Sequence, residues 1–309
     1  MSENSSFAEL FEIFKQKGEP LLSKLSELRN TVQFPILFHL QTNIVPWCVS
    51  QVYDYVTELE NEEKKDVDVI VFSLGGDADT AYHLGRILHK SVKGNLTFIV
   101  PRVAASAATL LTFSGNKILM IPPSALGPID PQIEISPRRF VSAKSLRDTL
   151  ELFIGKILEK PNPAKSTVEA FLERLPLTEV VDYERLLEHT EDLATELLTL
   201  RMIKDIEKAK EIAKKFVSGF KYHGRNVTME ECIELGLQVE ELAEEERNLV
   251  WEFSKLWENI ALITAEEGSD VKPFKIGKGV AFLPIKVAQT TKEKESVLET
   301  MVSKLSKIK

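Results

Sequence analysis

The residues best suited to chemistry are one serine and two glycines in a pair of short turns. Ser106 lies in the segment VAASAAT (103–109), whose alanines leave its hydroxyl uncovered. The amide of Ala107 is expected to point out of the N-terminus of the following helix. Gly75 and Gly76 lie in SLGGDAD (73–79), and glycine leaves backbone N–H groups open to an oxyanion. The pattern predicts a serine nucleophile beside an oxyanion hole.

Each turn also has a purely structural interpretation, since two glycines often join a strand to a helix and a serine often caps one. Their spacing favours the chemical interpretation. Gly76 and Ser106 are 30 residues apart, which is close to one βαβ unit. Right-handed crossover then places both turns at the same sheet edge, on neighbouring strands. A third turn, LGPIDPQ (126–132), follows the next strand and is expected at that edge too.

Short apolar runs alternate with helical patterns in the first half of the chain, which predicts an α/β fold with a parallel sheet covered on both faces. The predicted strands are 34–40, 67–72, 96–100 and 117–121, and the helices between them are 46–59, 79–90 and 106–113. Helices are predicted at 142–158, 166–175, 183–217, 228–235 and 244–263, with a last strand at 280–287 and a Lys-rich helix after it. Residues 7–30 predict a helical hairpin broken near Gly18 and Pro20.

These elements suggest four segments. They are an N-terminal helical segment (1–30), the α/β core (31–141), a helical part that completes the core and makes oligomer contacts (142–240), and a C-terminal helical region with one short strand (241–309).

Composition narrows the class of protein. The 309 residues are 43% hydrophobic and 28% charged, as in globular proteins. With 39 basic and 47 acidic residues, the net charge is −8, which argues against nucleic acid as a partner. No signal peptide or transmembrane segment is recognised, so we expect a soluble, cytoplasmic protein. The sequence shows no residue spacing typical of a metal site or a cofactor motif, so we expect neither a metal ion nor a cofactor.

The order of strand, LGGD, helix, strand, AASAAT, helix, strand and ALGPIDPQI resembles the Clp-protease/crotonase superfold. Within it, the chain resembles the serine dehydrogenase proteinase-like (SDH-type) family, related to signal peptide peptidases. The resemblance covers about 34–132 and returns at KYHGRNVTMEECIELGL (221–237). It implies a repeated ββα/βαβ core with a parallel sheet and additional C-terminal helices. It also implies homo-oligomers whose sites face an enclosed space.

Carried over by position, the resemblance places Ser106 on the nucleophile and the amides of Gly75 or Gly76 and of Ala107 on the oxyanion hole. His223 falls on the HG motif before the closing helix. The Clp branch has a histidine about one strand after the serine, and this chain has SALGP (124–128) there instead. The base is therefore open between two residue types.

A serine hydroxyl needs a base within hydrogen-bond reach, and an imidazole such as that of His223 is basic near neutral pH. The signal-peptide-peptidase branch implies a lysine some fifty residues after the serine. Lys165 is the best placed of Lys156, Lys160 and Lys165, although a surface role suits each. Asp130 is a candidate for orienting the histidine, or for capping a turn.

Three functions follow. The favoured one is a serine peptidase that hydrolyses peptide bonds in peptide or protein substrates without a cofactor. The second is a crotonase-type acyl-CoA enzyme, which expects an acidic residue near the oxyanion hole and a basic surface for CoA. The third is a catalytically degenerate scaffold or adaptor, suggested by the missing histidine.

Overall fold

The computed structural model describes residues 5–59, 65–137, 139–159, 177–263 and 270–285. The helices are α1 (Ser5–Arg29), α2 (Cys48–Leu59), α3 (Ala78–Ser91), α4 (Ala107–Thr112), α5 (Ala143–Leu158), α6 (Leu177–Arg201), α7 (Ile206–Ser218), α8 (Met229–Glu234) and α9 (Glu244–Ile263). The strands are β1 (Val32–Phe38), β2 (Val67–Phe72), β3 (Leu96–Val100), β4 (Val103–Ala104), β5 (Lys117–Met120), β6 (Ala125–Leu126), β7 (Gln132–Ser136), β8 (Arg139–Ser142), β9 (Val239–Glu241), β10 (Asp270–Ile276) and β11 (Gly279–Ile285).

The central sheet has the strand order β10-β11-β1-β2-β3-β5-β9. Every neighbouring pair is parallel except β10 and β11, which form an antiparallel hairpin at one edge. Two small sheets, β4-β6 and β7-β8, lie outside it. The predicted α/β fold with a parallel sheet is therefore confirmed.

The sheet is buried on both faces, because successive side chains of a strand point to opposite faces and those of these strands are mostly apolar in both directions. In β1, Phe34, Ile36 and Phe38 join a core cluster with residues of α2, α3, α4, α6 and α7. Leu37, between them, joins a second cluster with residues of α1 and α9. The same alternation recurs in the next strands, which gives three layers, helix on sheet on helix.

The N-terminal hairpin prediction is wrong, because α1 runs without a break through Gly18 and Pro20. A proline inside a helix costs about 3 kcal/mol, and burial of the apolar face of α1 against α9 offsets it. Phe14 contacts Phe253 and Trp257 of α9, with ring centroids 5.7 Å apart in both pairs. A Cβ on Gly18 would lie 3.2 Å from the Phe253 ring, so the glycine permits this close approach.

The single helix predicted over 183–217 is also wrong. The structure has two helices there, α6 and α7, and Asp205 begins the second by accepting hydrogen bonds from the amides of Glu207 and Lys208. An aspartate with this capping pattern is a start signal that the continuous apolar spacing obscured.

Strands were missed in the second half of the chain. The tail contains two strands, β10 and β11, where one was predicted, and their hairpin turns at Gly277, whose φ is +56°. The β7-β8 hairpin and β9 were not predicted either. The predicted helices at 166–175 and after 287 lie outside the described residues, and the four segment boundaries stay predictions. Within the described ranges, no helix is long and apolar enough to span a bilayer.

Candidate active site

A cavity of about 480 Å³ opens beside the turns that follow β2 and β3. Gly76, Ser106, Ala107 and His223 all line it. These residues were selected from separate parts of the sequence, and the structure brings them to one place. The question is which backbone contacts hold them there.

Four backbone segments pair side by side next to the site residues. We call the row of paired residues Ser73, Ala104, Leu126 and Val227 the transverse ladder. Ser73 pairs with Ala104 as a parallel bridge, and Ala104 pairs with Leu126 in the β4-β6 sheet. Leu126 and Val227 exchange both of their N–H···O bonds, at 3.0 and 2.8 Å. Backbone hydrogen bonds therefore fix the four segments relative to one another.

Each ladder residue is only a few positions from a predicted site residue. Gly76 comes three residues after Ser73, Ser106 two after Ala104, Asp130 four after Leu126, and His223 four before Val227. The His223 segment is held at a second point, since the amide of Ile129 donates to the carbonyl of Phe216 at 3.0 Å. The ladder thus explains how Gly76 and His223, which are 147 positions apart, share one cavity.

Ser106 has an unusual backbone conformation, with φ 52° and ψ −124°. Non-glycine residues adopt such angles at a cost of about 1–3 kcal/mol, and they cluster at functional sites. The conformation places Ser106 directly before α4, and its side chain makes no capping hydrogen bond. Ser106 is half-buried at the cavity, and its hydroxyl is not used to cap the helix.

Two residues that line the cavity, Gly76 and Ala107, have backbone amides with no hydrogen-bond acceptor among the described residues. Ile44 pairs with the turn by accepting from the amide of Asp77 and donating to the carbonyl of Gly75, both at 2.8 Å, so the N–H of Gly76 points to the opposite side. Among the described residues, neither the amide of Gly76 nor that of Ala107 has a hydrogen-bond acceptor. Both are available to an oxyanion.

Gly75 has a different structural role from Gly76. Its amide donates to the Oγ of Ser73 at 3.0 Å, so it is not free for an oxyanion. Its φ is +114°, and a Cβ there would lie 2.7 Å from the Cβ of Ser106. Gly75 therefore allows the first turn to approach the serine, and Gly76 is the better donor of the pair.

His223 and Asp130 are hydrogen-bonded, with 2.7 Å between Nδ1 and Oδ1. The carboxylate is buried, and its other oxygen accepts from Nε2 of Gln132 at 3.0 Å. A carboxylate at Nδ1 holds the proton on that nitrogen, which leaves Nε2 as the basic atom. No hydrogen bond joins Ser106 to His223 in the described chain, as is common before substrate binds.

Acidic groups dominate the charge of the cavity. Asp77 and Asp79 line it, and the described residues of its lining include no lysine or arginine. Asp77 caps α3 by accepting from the amide of Thr80 at 2.7 Å, and Asp79 lies 2.9 Å from Nε2 of His189, also in the lining. Lys165 lies outside the described residues, and Lys156 is exposed on α5 and does not line this cavity.

Sequence reasoning missed Ser73 and Gln132, which hold Gly75 and Asp130. Only their positions beside the glycine pair and the aspartate hinted at a role. The two cysteines are excluded as nucleophiles, because burial raises the pKa of Cys48 to about 11 and that of Cys232 to about 12. In the described part of the chain, no group of His, Cys, Asp and Glu is arranged to hold a metal ion.

A mostly parallel sheet covered by helices on both faces defines an α/β protein, and Ser106 lies in a strained turn at its cavity. The chain belongs to the family of ClpP-like SDH-type serine proteinases, whose profile matches residues 57–262. The resemblance read from the sequence and the expected fold class are thereby confirmed.

Two relatives come from Methanocaldococcus jannaschii, and both are named as uncharacterized. MJ0137 is 27% identical over 245 residues, covering 76% of this chain and 77% of its own length. MJ1495 is 27% identical over 198 residues, covering 61% and 60%.

Solved structures with a similar fold include 1510-N membrane-bound stomatin-specific protease with a substrate peptide, at 14% identity and a TM-score of 0.44, covering 87% of this chain and 96% of that one. ClpP1 from Listeria monocytogenes has 14% identity and a TM-score of 0.42, covering 72% and 98%.

Proposed function

We propose that this protein is a serine peptidase in which Ser106 is the nucleophile, His223 the base and Asp130 the group that orients it. The observation that carries the proposal is the His223–Asp130 hydrogen bond in the cavity that Ser106 lines. A buried carboxylate bonded to an imidazole beside an uncapped serine is an arrangement that activates a hydroxyl. Membership in a serine proteinase family agrees with it.

The reaction follows from these positions. Oγ of Ser106 attacks the peptide carbonyl while its proton passes to Nε2 of His223, and the carbonyl oxygen becomes an oxyanion. The amides of Gly76 and Ala107 donate to that oxygen, and one such donor contributes about 3–4 kcal/mol. His223 then returns the proton to the leaving amine. Water, deprotonated by the same imidazole, releases the acyl group and restores Ser106.

The acyl-CoA alternative has less support. The phosphates of CoA need basic groups, and no lysine or arginine is found among the described residues that line this cavity. The degenerate scaffold remains the alternative that an assay must separate. Lys165 as base, a cytoplasmic location and a homo-oligomer also remain predictions. Exposed apolar residues on α5, among them Leu152 and Ile154, are a surface that self-association would use.

Hydrolysis of an unfolded protein such as casein tests the proposal. We expect wild-type protein to release peptides and Ser106→Ala to release none. Ser50→Ala is the matched control, since that exposed hydroxyl bonds only its own helix turn, at Trp47, and lies outside the cavity at Ser106. Equal hydrolysis by wild type and Ser106→Ala would overturn the proposal.

A further inference from the structure

Thr109 is a fully buried threonine in the first turn of α4, three residues after Ser106. Its hydroxyl makes no bond to its own helix. It donates to the carbonyl of Ala104 at 2.6 Å and accepts from the amide of Gly127 at 3.0 Å. The carbonyl of Gly127 also lies 3.0 Å from the hydroxyl. One side chain therefore bridges two backbone segments.

These two segments are the ones that lead to the nucleophile and to the acid. Ala104 is paired with Leu126, and this is the last pair of the β4-β6 sheet. One continues to Ser106 and the other to Asp130. The Thr109 hydroxyl joins the two chains directly after this pair, through the carbonyl of Ala104 on one side and the amide of Gly127 on the other.

Gly127 also abuts the nucleophile itself. A Cβ at this position would lie 3.0 Å from the Cβ of Ala105 and 3.4 Å from the nitrogen of Ser106. Movement of Gly127 away from Thr109 would therefore change the space behind Ser106 as well as the path to Asp130.

We infer that Thr109 is a positioning residue, whose hydroxyl sets the distance and angle between Ser106 and the His223–Asp130 pair. This inference rests on the proposed function. Thr109 does not touch substrate, so its effect passes through Ser106 and His223. Misplacement of a catalytic group by about 1 Å can slow a reaction about 100-fold.

The test is the rate at which a fluorophosphonate probe phosphonylates the Oγ of Ser106 in the full chain, with fluoride as the leaving group. We expect Thr109→Val to lower the maximal phosphonylation rate constant by about 10- to 100-fold, with little change in the probe's apparent dissociation constant. Thr109→Ser keeps the hydroxyl and is expected to stay within about threefold of wild type. Thr112→Val is the matched control, because Thr112 is an equally buried threonine of α4 whose hydroxyl donates only within the helix, to the carbonyl of Thr109 at 2.7 Å.

A background lacking the base separates positioning from general destabilisation. If Thr109 acts by aligning Ser106 with His223, adding Thr109→Val to His223→Ala should slow phosphonylation by less than about threefold further. A merely structural role would retain its full effect there. Should Thr109→Val not fold, Thr109→Cys replaces it, with a rate below that of Thr109→Ser.

The outcomes are distinct. If the wild type is labelled and Thr109→Val reacts no more slowly than Thr112→Val, the role of Thr109 alone is overturned. The same holds if Thr109→Val slows the reaction as much in the His223→Ala background as in the wild type. A wild type that the probe does not label overturns the proposed function and this inference together.

Discussion

The Nδ1 atom of His223 lies 2.7 Å from Oδ1 of Asp130, although 93 residues separate them in sequence. The transverse ladder brings the two together, since Leu126 leads to the aspartate and Val227 to the histidine. Asp130 is buried, whereas the imidazole is partly exposed at the cavity. The aspartate is therefore placed to hold the ring, and the ring is placed to meet a substrate.

Replacing Asp130 with asparagine tests this pairing. Asp130→Asn removes the charge that stabilises a protonated imidazole and changes which ring nitrogen carries the proton. We expect peptide hydrolysis to fall by about 10²- to 10⁴-fold. The control is Asp68→Asn, a buried carboxylate 2.6 Å from Nε of Arg29, which lies outside the cavity at Ser106. That change should lower stability and leave hydrolysis per folded molecule unchanged. Wild-type hydrolysis by Asp130→Asn would contradict the assigned role.

The backbone of Ser106 predicts a gain in stability from an inactivating change. At φ 52° and ψ −124° a Cβ is strained, and glycine removes that strain. We expect Ser106→Gly to unfold at a higher urea concentration than Ser106→Ala. Its free energy of unfolding should be larger by about 1 kcal/mol, after the extra conformational freedom of glycine in the unfolded chain is subtracted. Both variants should be inactive. An alanine variant as stable as the glycine variant would show that the turn is unstrained.

The acidic lining predicts a preference in substrate charge. Asp77 and Asp79 line a cavity whose described lining holds no lysine or arginine. Peptides with a lysine near the cleaved bond should therefore be preferred over the same peptides with glutamate. Asp77→Asn and Asp79→Asn should each reduce this preference by roughly two- to fivefold, and the double variant should show both reductions. Added salt should reduce the preference too.

Asparagine keeps the ability to cap a helix, so the fold of these variants is preserved. Asp205→Asn, at the cap of α7, is the matched control and should leave the preference unchanged. An unchanged ratio in the double variant would refute the charge argument.

His39 predicts how stability depends on pH. Burial lowers its pKa, and the bond to the carbonyl of Ala261 at 2.6 Å opposes that shift only in part. Its Nδ1 accepts from the amide of Gln41, so both nitrogens are used by the neutral ring. The unfolded chain, with a histidine pKa of about 6.5, therefore binds a proton before the folded chain does.

The free energy of unfolding should consequently have its full value above about pH 6.5, where His39 is neutral in both states. It should fall as the pH drops below that value. His39→Asn should reduce this fall in urea titrations between about pH 8 and 5. The reduction should be partial, because burial lowers the pKa of His89 as well. The same slope in wild type and variant would show that His39 does not contribute.

Several elements could be predicted from the sequence because their signals are local. The strands β2 and β3 are apolar runs buried on both faces, and their bounds were predicted exactly as the structure has them. Gly76 and Ser106 were placed at one edge by the length of a βαβ unit alone. His223 and Asp130 were both candidates, although nothing in the sequence chose the histidine over Lys165.

Other features left no local signal. The ladder pairs single residues such as Ser73 and Val227, and a pair of one residue has no periodicity. The continuity of α1 depends on aromatic contacts with α9, more than two hundred residues away, which outweigh the breaking effect of Pro20. Strand β10 carries Lys272, Pro273 and Lys275, and it forms at the sheet edge because β11 supplies its partner.

The most direct test of the account is peptide mapping of the protein after reaction with a fluorophosphonate. The account predicts one adduct per chain, on the Oγ of Ser106, that is absent from Ser106→Ala and forms far more slowly in His223→Ala. An adduct on another residue, or none in the wild type, would contradict the claim that Ser106 is an activated nucleophile.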